Sequence, residues 1–172
     1  MIYLDNAATT LYKPQAVYDA VMHAMKNYGN SGRGYGETSL EASRCIFEAR
    51  KCLAEFFGGD NTSGLIFTSN ATEALNIVIH GLFNEGDTVI TTNLEHNSVL
   101  RPLYYAGERG VKTEIVSCSD NGFFDADDIE DMITKAAKAI ICTHASNLTG
   151  NVVDIKKIGE IAKKHNLSLI HI

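Results

Sequence analysis

From residue 64 onward, short apolar segments alternate with segments of helical periodicity, and this alternation constrains the fold more than any other feature. Leu65–Thr68, Thr88–Thr92, Lys112–Val116, Ala139–Thr143 and Ser168–Ile172 read as strands. Thr72–Leu82, Ser98–Arg109, Ala126–Thr134 and Ile155–His165 read as the helices between them. Strands joined by helical crossovers run the same way, so the expected fold is α/β, a mostly parallel sheet with helices on both faces. Ligands of such sheets sit beyond the carboxyl ends of the strands, which points to the loops after Thr68, Thr92 and Thr143.

The N-terminal part has a different organisation. Pro14 suits a first helical position, and Ala16, Val17, Ala20, Val21, Ala24 and Met25 recur at helical spacing to about Asn27. Tyr28–Glu37 holds Gly29, Gly32, Gly34 and Gly36 and reads as a loop. That loop follows a helix and lacks the full G-x-G-x-x-G spacing, so it is a poor dinucleotide fingerprint. Thr38 with Glu41 has the form of a capping box, opening a helix that runs through Phe56 and stops at Gly58-Gly59. The expected division is an N-terminal arm with two helices over residues 1–60 and an α/β domain over 61–172.

Composition excludes several function classes. A net charge of −6 argues against a nucleic-acid surface or a polybasic membrane patch. No apolar run reaches the roughly 20 residues of a membrane span, and the start lacks a basic signal region, so a cytoplasmic protein is expected. Cys45, Cys52, Cys118 and Cys142 form no C-x-x-C pair and no zinc-like set, so they read as separate thiols in a reducing compartment and no metal is expected. Cys45 and Cys52, on one helical face, read as packing residues, and His23, His80, His165 and His171 as partnerless structural residues.

Three loops carry candidate chemistry. In Thr68-Ser69-Asn70-Ala71-Thr72-Glu73, Asn70 reads as an N-cap with Glu73 reaching back. The N–H groups of Ala71 and Thr72 then lack helical partners, and with the helix dipole they form a natural phosphate cradle; the same residues also suit a well-capped helix with no ligand. His96, in Asn93-Leu94-Glu95-His96-Asn97-Ser98, could stack on a planar ring or transfer protons, or could serve simply as a surface or capping residue. Asn147, in Ser146-Asn147-Leu148-Thr149-Gly150, supplies an amide to the same crevice, or simply forms a turn between strand and helix.

Together with the N-terminal Tyr3-Leu4-Asp5-Asn6-Ala7-Ala8-Thr9-Thr10, these three segments resemble the cysteine desulfurase and selenocysteine lyase group of class V aminotransferases. The resemblance covers essentially the whole chain but only the first part of the family's chain. It implies pyridoxal 5′-phosphate as cofactor, a fold-type I large domain of which residues 61–172 form an incomplete part, and a homodimer in the full-length family. By the resemblance, Ala71 and Thr72 hold the phosphate, and His96 stacks on the pyridine ring and assists proton movement. Asn147 lies near the phenolic oxygen and the carboxylate of a small amino-acid substrate. Arg33 falls at a family position that reaches across the dimer interface, although its loop departs from the commoner His-containing forms.

The family's reaction converts cysteine to alanine and leaves the sulfur as a persulfide on an enzyme cysteine. Its pyridinium aspartate would fall near Ile172, and its Schiff-base lysine and sulfur-accepting cysteine have no counterpart here. The expectation is therefore an N-terminal portion of a desulfurase-like enzyme that does not turn over alone. A non-catalytic truncated paralogue and another class V reaction, such as selenocysteine lysis, transamination or epimerisation, are the alternatives.

Overall fold

The structure, a computed structural model, describes residues 2–6, 9–59 and 61–172. Ala7 and Ala8 of the N-terminal motif lie outside the described residues. The chain divides into two compact units, Met1–Phe67 and Thr68–Ile172.

In the second unit, β1 (Thr88–Thr92), β2 (Lys112–Val116), β3 (Ala137–Cys142) and β4 (Ser168–His171) form one sheet in the order β2-β1-β3-β4. Each neighbouring pair is parallel. β1 reads Thr-Val-Ile-Thr-Thr, β-branched throughout, and all five residues are buried. Its central position requires this, because both faces are covered. Val89, Ala139 and Ile141 pack with Leu75, Ile79, Val99 and Leu103 of α3 (Ala71–Leu82) and α4 (Asn97–Glu108). The alternate residues Ile90, Ile140 and Cys142 pack with Ile129, Ile158 and Ile161 of α5 (Ala126–Asp131) and α6 (Ile155–Lys164). The period of two thus sorts one strand sequence into two cores.

The strand order places a reversal at the middle of the sheet. From β1 the chain moves outward to β2, then returns past β1 to β3 and on to β4. The crevice at the carboxyl ends of β1 and β3 is therefore a topological switch point, the position where open α/β sheets bind ligands.

The segment Leu65–Thr68, expected to be a strand, is not one. A 3-10 turn, Thr62–Gly64, leads into it, and Leu65 is extended at φ −105 and ψ 122. No strand among the described residues pairs with it, and Ile66 is 79% exposed. The apolar run encodes extended backbone, but a strand also needs a ladder partner. Smaller differences lie at element ends: α5 stops at Asp131, short of Thr134, and β3 begins at Ala137. His80 and His165, read as partnerless, lie beside Arg109 and Glu130 at 3.0 and 2.6 Å.

The first unit contains α1 (Gln15–Asn27) and α2 (Glu37–Phe56). Pro14 is the N-cap of α1 and not its first residue, because its ψ of 147 leaves it extended while its carbonyl accepts from Val17 N at 2.9 Å. The capping box expected at Thr38 is absent. α2 starts at Glu37, directly after Gly36, which the preceding loop brings in at φ 114, so Thr38 already lies inside the helix. The far end follows expectation, with Gly59 N bonded to Ala54 O and Gly58 N to Glu55 O in a Schellman motif. Cys45 and Cys52 are exposed, contrary to the packing expected of them, because α2 buries only Ser39, Ala42 and Ala54.

Candidate functional site

α3 begins where its sequence directs. Asn70 Oδ1 accepts from Glu73 N at 2.9 Å, and Asn70 O accepts from Ala74 N. The Glu73 carboxylate reaches back one residue further than a capping box requires, accepting from Ser69 N at 2.6 Å. That backbone donor, with the Ser69 side chain, holds the Glu73 carboxyl below the ordinary carboxylate range. Among the described residues, the N–H groups of Ala71 and Thr72 have no acceptor, and both residues are exposed. They lie at the positive end of a twelve-residue helix.

His96 is the N-cap of α4. Its Nδ1 accepts from Ser98 N at 3.1 Å and lies 2.9 Å from Ser98 Oγ. The backbone donor makes Nδ1 an acceptor, so the neutral ring carries its proton on Nε2. The residue itself is exposed.

The two helix starts lie at the same end of the unit. Arg109, at the end of α4, meets His80, in the last turn of α3, at 3.0 Å, and the helices pack along their lengths. Both helices have twelve residues and are therefore about 18 Å long, so joined last turns bring Ala71 and His96 to a common end. That end is the one at which β1 delivers its chain into α4, the switch-point side of the sheet.

Asn147 sits at the tip of a closed loop after β3. Ser146 Oγ accepts from Leu148 N and Thr149 N at 3.3 and 3.2 Å. Ser146 N bonds to Asn151 O, and Gly150 N to Ser146 O. The buried serine thus folds the loop around itself and leaves Asn147 exposed. The far limb is tied by Asn151 Nδ2, which donates to Asn121 O at 2.6 Å. Gly122, at φ 74, is required beside it, since a Cβ there would stand 2.8 Å from Asn151 Nδ2. Arg33 belongs to the first unit, where it is exposed and its N–H bonds to Asn30 Oδ1 at 2.8 Å.

Residue-by-residue reading missed the group between the two loops. Glu95 was visible only as a neighbour of His96, yet it is 7% exposed and accepts from Thr92 Oγ1, Thr143 N and Thr143 Oγ1. The signal was the threonine that ends each of two strands, one of them three residues before an acidic residue. Burial pushes the Glu95 carboxyl up, partly offset by these donors. Burial, and then the Glu95 charge, push the Cys142 thiol up to about 12 and raise that of Cys118.

These residues suit a phosphorylated planar cofactor in part. The free N–H groups of Ala71 and Thr72 suit a phosphate, and the exposed His96 ring suits a planar ring. No lysine occurs in segments 68–73, 93–98 or 146–150 to hold such a cofactor covalently.

Known proteins agree with this architecture. The profile of the Aminotransferase class-V family matches residues 2–172. A probable cysteine desulfurase of Methanothermobacter thermautotrophicus is 38% identical over 99% of this chain and 42% of that protein. The cysteine desulfurase IscS of Dictyoglomus turgidum is 31% identical over 96% of this chain and 43% of its own length. The apo structure of a cysteine desulfurase from Thermococcus onnurineus superposes with a TM-score of 0.90 at 35% identity, covering 99% of this chain and 43% of that one. The chain therefore spans about two-fifths of the length of these relatives. Their common fold is the fold-type I arrangement, and the four parallel strands with their helices are part of its large domain. With the match running over residues 2–172, the chain belongs to the class-V aminotransferase family.

Proposed function

We propose that these residues form the phosphate-binding and ring-facing part of a pyridoxal-phosphate-dependent cysteine desulfurase. The observation that carries the reading is the common placement of the free N–H groups of Ala71 and Thr72 and the exposed His96 ring at the switch-point end of the sheet. Ala71 and Thr72 hold the phosphate through backbone N–H groups and the Thr72 hydroxyl, with the α3 dipole favouring the anion. His96 lies against the ring, its Nδ1 fixed by Ser98 and its Nε2 left to carry a proton. Asn147 offers its side-chain amide to the phenolic oxygen and to the carboxylate of the amino-acid substrate. When bound, the cofactor supplies an electron sink for breaking bonds at the substrate α-carbon and beyond.

The substrate class is a small thiol-bearing amino acid, cysteine first, in line with the names of the relatives. Arg33 belongs to the proposal as a residue contributed toward substrate across a homodimer. The exposed free thiols Cys45 and Cys52 fit a reducing compartment such as the cytoplasm. Among the described residues, no helix is long and apolar enough to cross a membrane. Residues 61–172 are proposed as an incomplete cofactor domain that does not turn over by itself, since none of the segments 68–73, 93–98 and 146–150 contains a lysine.

Titration of the chain with pyridoxal phosphate and with pyridoxal tests the reading. The phosphate compound binds more tightly by about tenfold or more, and alanine is not released from cysteine. Equal affinity for the two compounds overturns the phosphate assignment, and steady alanine release overturns the incapacity.

A further inference from the structure

Glu95 is a buried acidic side chain that the proposed chemistry leaves unused. A carboxylate at 7% exposure is costly to keep unless its oxygens are supplied with donors. Its three donors come from the carboxyl ends of two neighbouring strands, Thr92 closing one and Thr143 directly following the other. Oε1 accepts from Thr92 Oγ1 at 2.7 Å and from Thr143 N at 2.8 Å, while Oε2 accepts from Thr143 Oγ1 at 2.9 Å. Thr92 is the last residue of β1, Thr143 directly follows β3, and the two strands are paired. Glu95 immediately precedes His96, and Thr143 opens the loop that carries Asn147.

Among the described residues, these are the only hydrogen bonds that join the 93–96 loop directly to the 143–151 loop. Other ties lead away from this pair, through Asn93 Oδ1 with Cys118 N at 3.0 Å, Asn151 Nδ2 with Asn121 O, and His144 N with Ile172 O at 2.7 Å. We infer that Glu95 is a positioning residue whose carboxylate fastens the His96 loop to the Asn147 loop, so that the two groups are held as one body across the switch point. What the two loops hold rests on the reading under Proposed function, whereas the tie itself does not.

The chemistry of the clamp favours an acceptor with two oxygens. Thr143 N can only donate, and each threonine hydroxyl has one proton to give. Glutamine keeps an oxygen for Thr92 Oγ1 and Thr143 N and can turn its NH₂ toward Thr143 Oγ1, which is then an acceptor. Alanine leaves all three donors without a partner in a buried place, a loss worth about tenfold or more in local stability. The titratable groups facing Glu95 are the thiols of Cys142 on β3 and Cys118 after β2, both pushed upward and so neutral beside it.

The test compares Glu95→Gln and Glu95→Ala in the full chain by nuclear magnetic resonance, with hydrogen exchange at Thr143 N and pyridoxal phosphate affinity as further readouts. The Ala variant displaces the His96 ring and Asn147 amide signals together, and it speeds exchange at Thr143 and weakens cofactor binding by about tenfold each. The Gln variant restores all of these. Movement of one signal without the other, or Ala effects confined to overall melting, overturns the inference. Should the Ala variant not fold, Thr143→Val and Thr143→Ser decide: valine displaces both signals and serine restores them, and any other pattern rejects the tie. If the native chain binds no pyridoxal phosphate while the two signals still move together, the cofactor reading fails and the positioning role stands.

Discussion

His96 Nδ1 accepts the backbone N–H of Ser98 at 3.1 Å, so the ring proposed to face the cofactor also caps the helix that follows. Substitution can separate the capping bond from the proposed ring contact. Replacing His96 by Asn keeps a good N-cap and removes the ring, whereas Ala removes both. Denaturant unfolding should show Asn near the native stability and Ala lower by about 1 kcal/mol. Pyridoxal phosphate affinity should fall in both variants alike. A loss of affinity that follows stability would make His96 a capping residue alone.

The cysteines should divide sharply under alkylation. Cys142 is buried on β3 with its thiol pushed up to about 12, while Cys45 and Cys52 lie exposed on α2. Iodoacetamide at pH 8, followed by mass spectrometry, should label Cys45 and Cys52 quickly and leave Cys142 unmodified until denaturant is added.

Glu95 gives a pH dependence of definite sign. Burial raises its pKa in the folded state above the unfolded value of about 4.3, so its contribution to stability is fully present below that pH. The contribution is lost as pH rises through the folded value. Glu95→Gln has no proton to lose, so its stability relative to the native chain should increase with pH over this window and then level off. Asp125 and Glu130 act in the opposite sense. The first is lowered mainly by the N–H of Asp127 and then by Lys157, the second by Lys164 and then His165. They are present in both proteins and cancel in the difference. Urea unfolding of the pair from pH 4 to 8 checks the sign, and a flat or falling difference contradicts it.

The two units should respond unequally to truncation of apolar side chains. Ile79 is fully buried between α3, α4 and the sheet, so Ile79→Ala should cost about 2–5 kcal/mol. α1 buries none of its residues, and Val21 is 52% exposed. Val21→Ala should therefore change stability by no more than about 0.5 kcal/mol, as measured by chemical denaturation.

Much of this fold could be read from local pattern. β1 was legible to the residue because all five of its residues are β-branched and both of its faces are buried. Asn70 was legible as a cap because its oxygen acts on a neighbour three residues away. Leu65–Thr68 was misread because strand identity depends on a partner that local periodicity does not contain. Thr38 was misread because Gly36 let α2 begin before the residue that resembled its cap. Glu95 was passed over for a related reason: its main partner, Thr143, lies 48 positions away, and only the pairing of β1 with β3 brings them together. Ala71, Thr72, His96 and Asn147 came forward as candidates from resemblance and local logic, whereas the tie between the His96 and Asn147 loops is visible only in three dimensions.

The central claim, that the α3 start, His96 and Asn147 serve one bound cofactor, is tested most directly by mapping pyridoxal phosphate onto the isotope-labelled chain by nuclear magnetic resonance. The amides of Ala71 and Thr72, the His96 ring and the Asn147 side-chain amide should shift together and saturate along one binding curve. Shifts confined to surface lysines, or reaching these four residues along different curves, would contradict it.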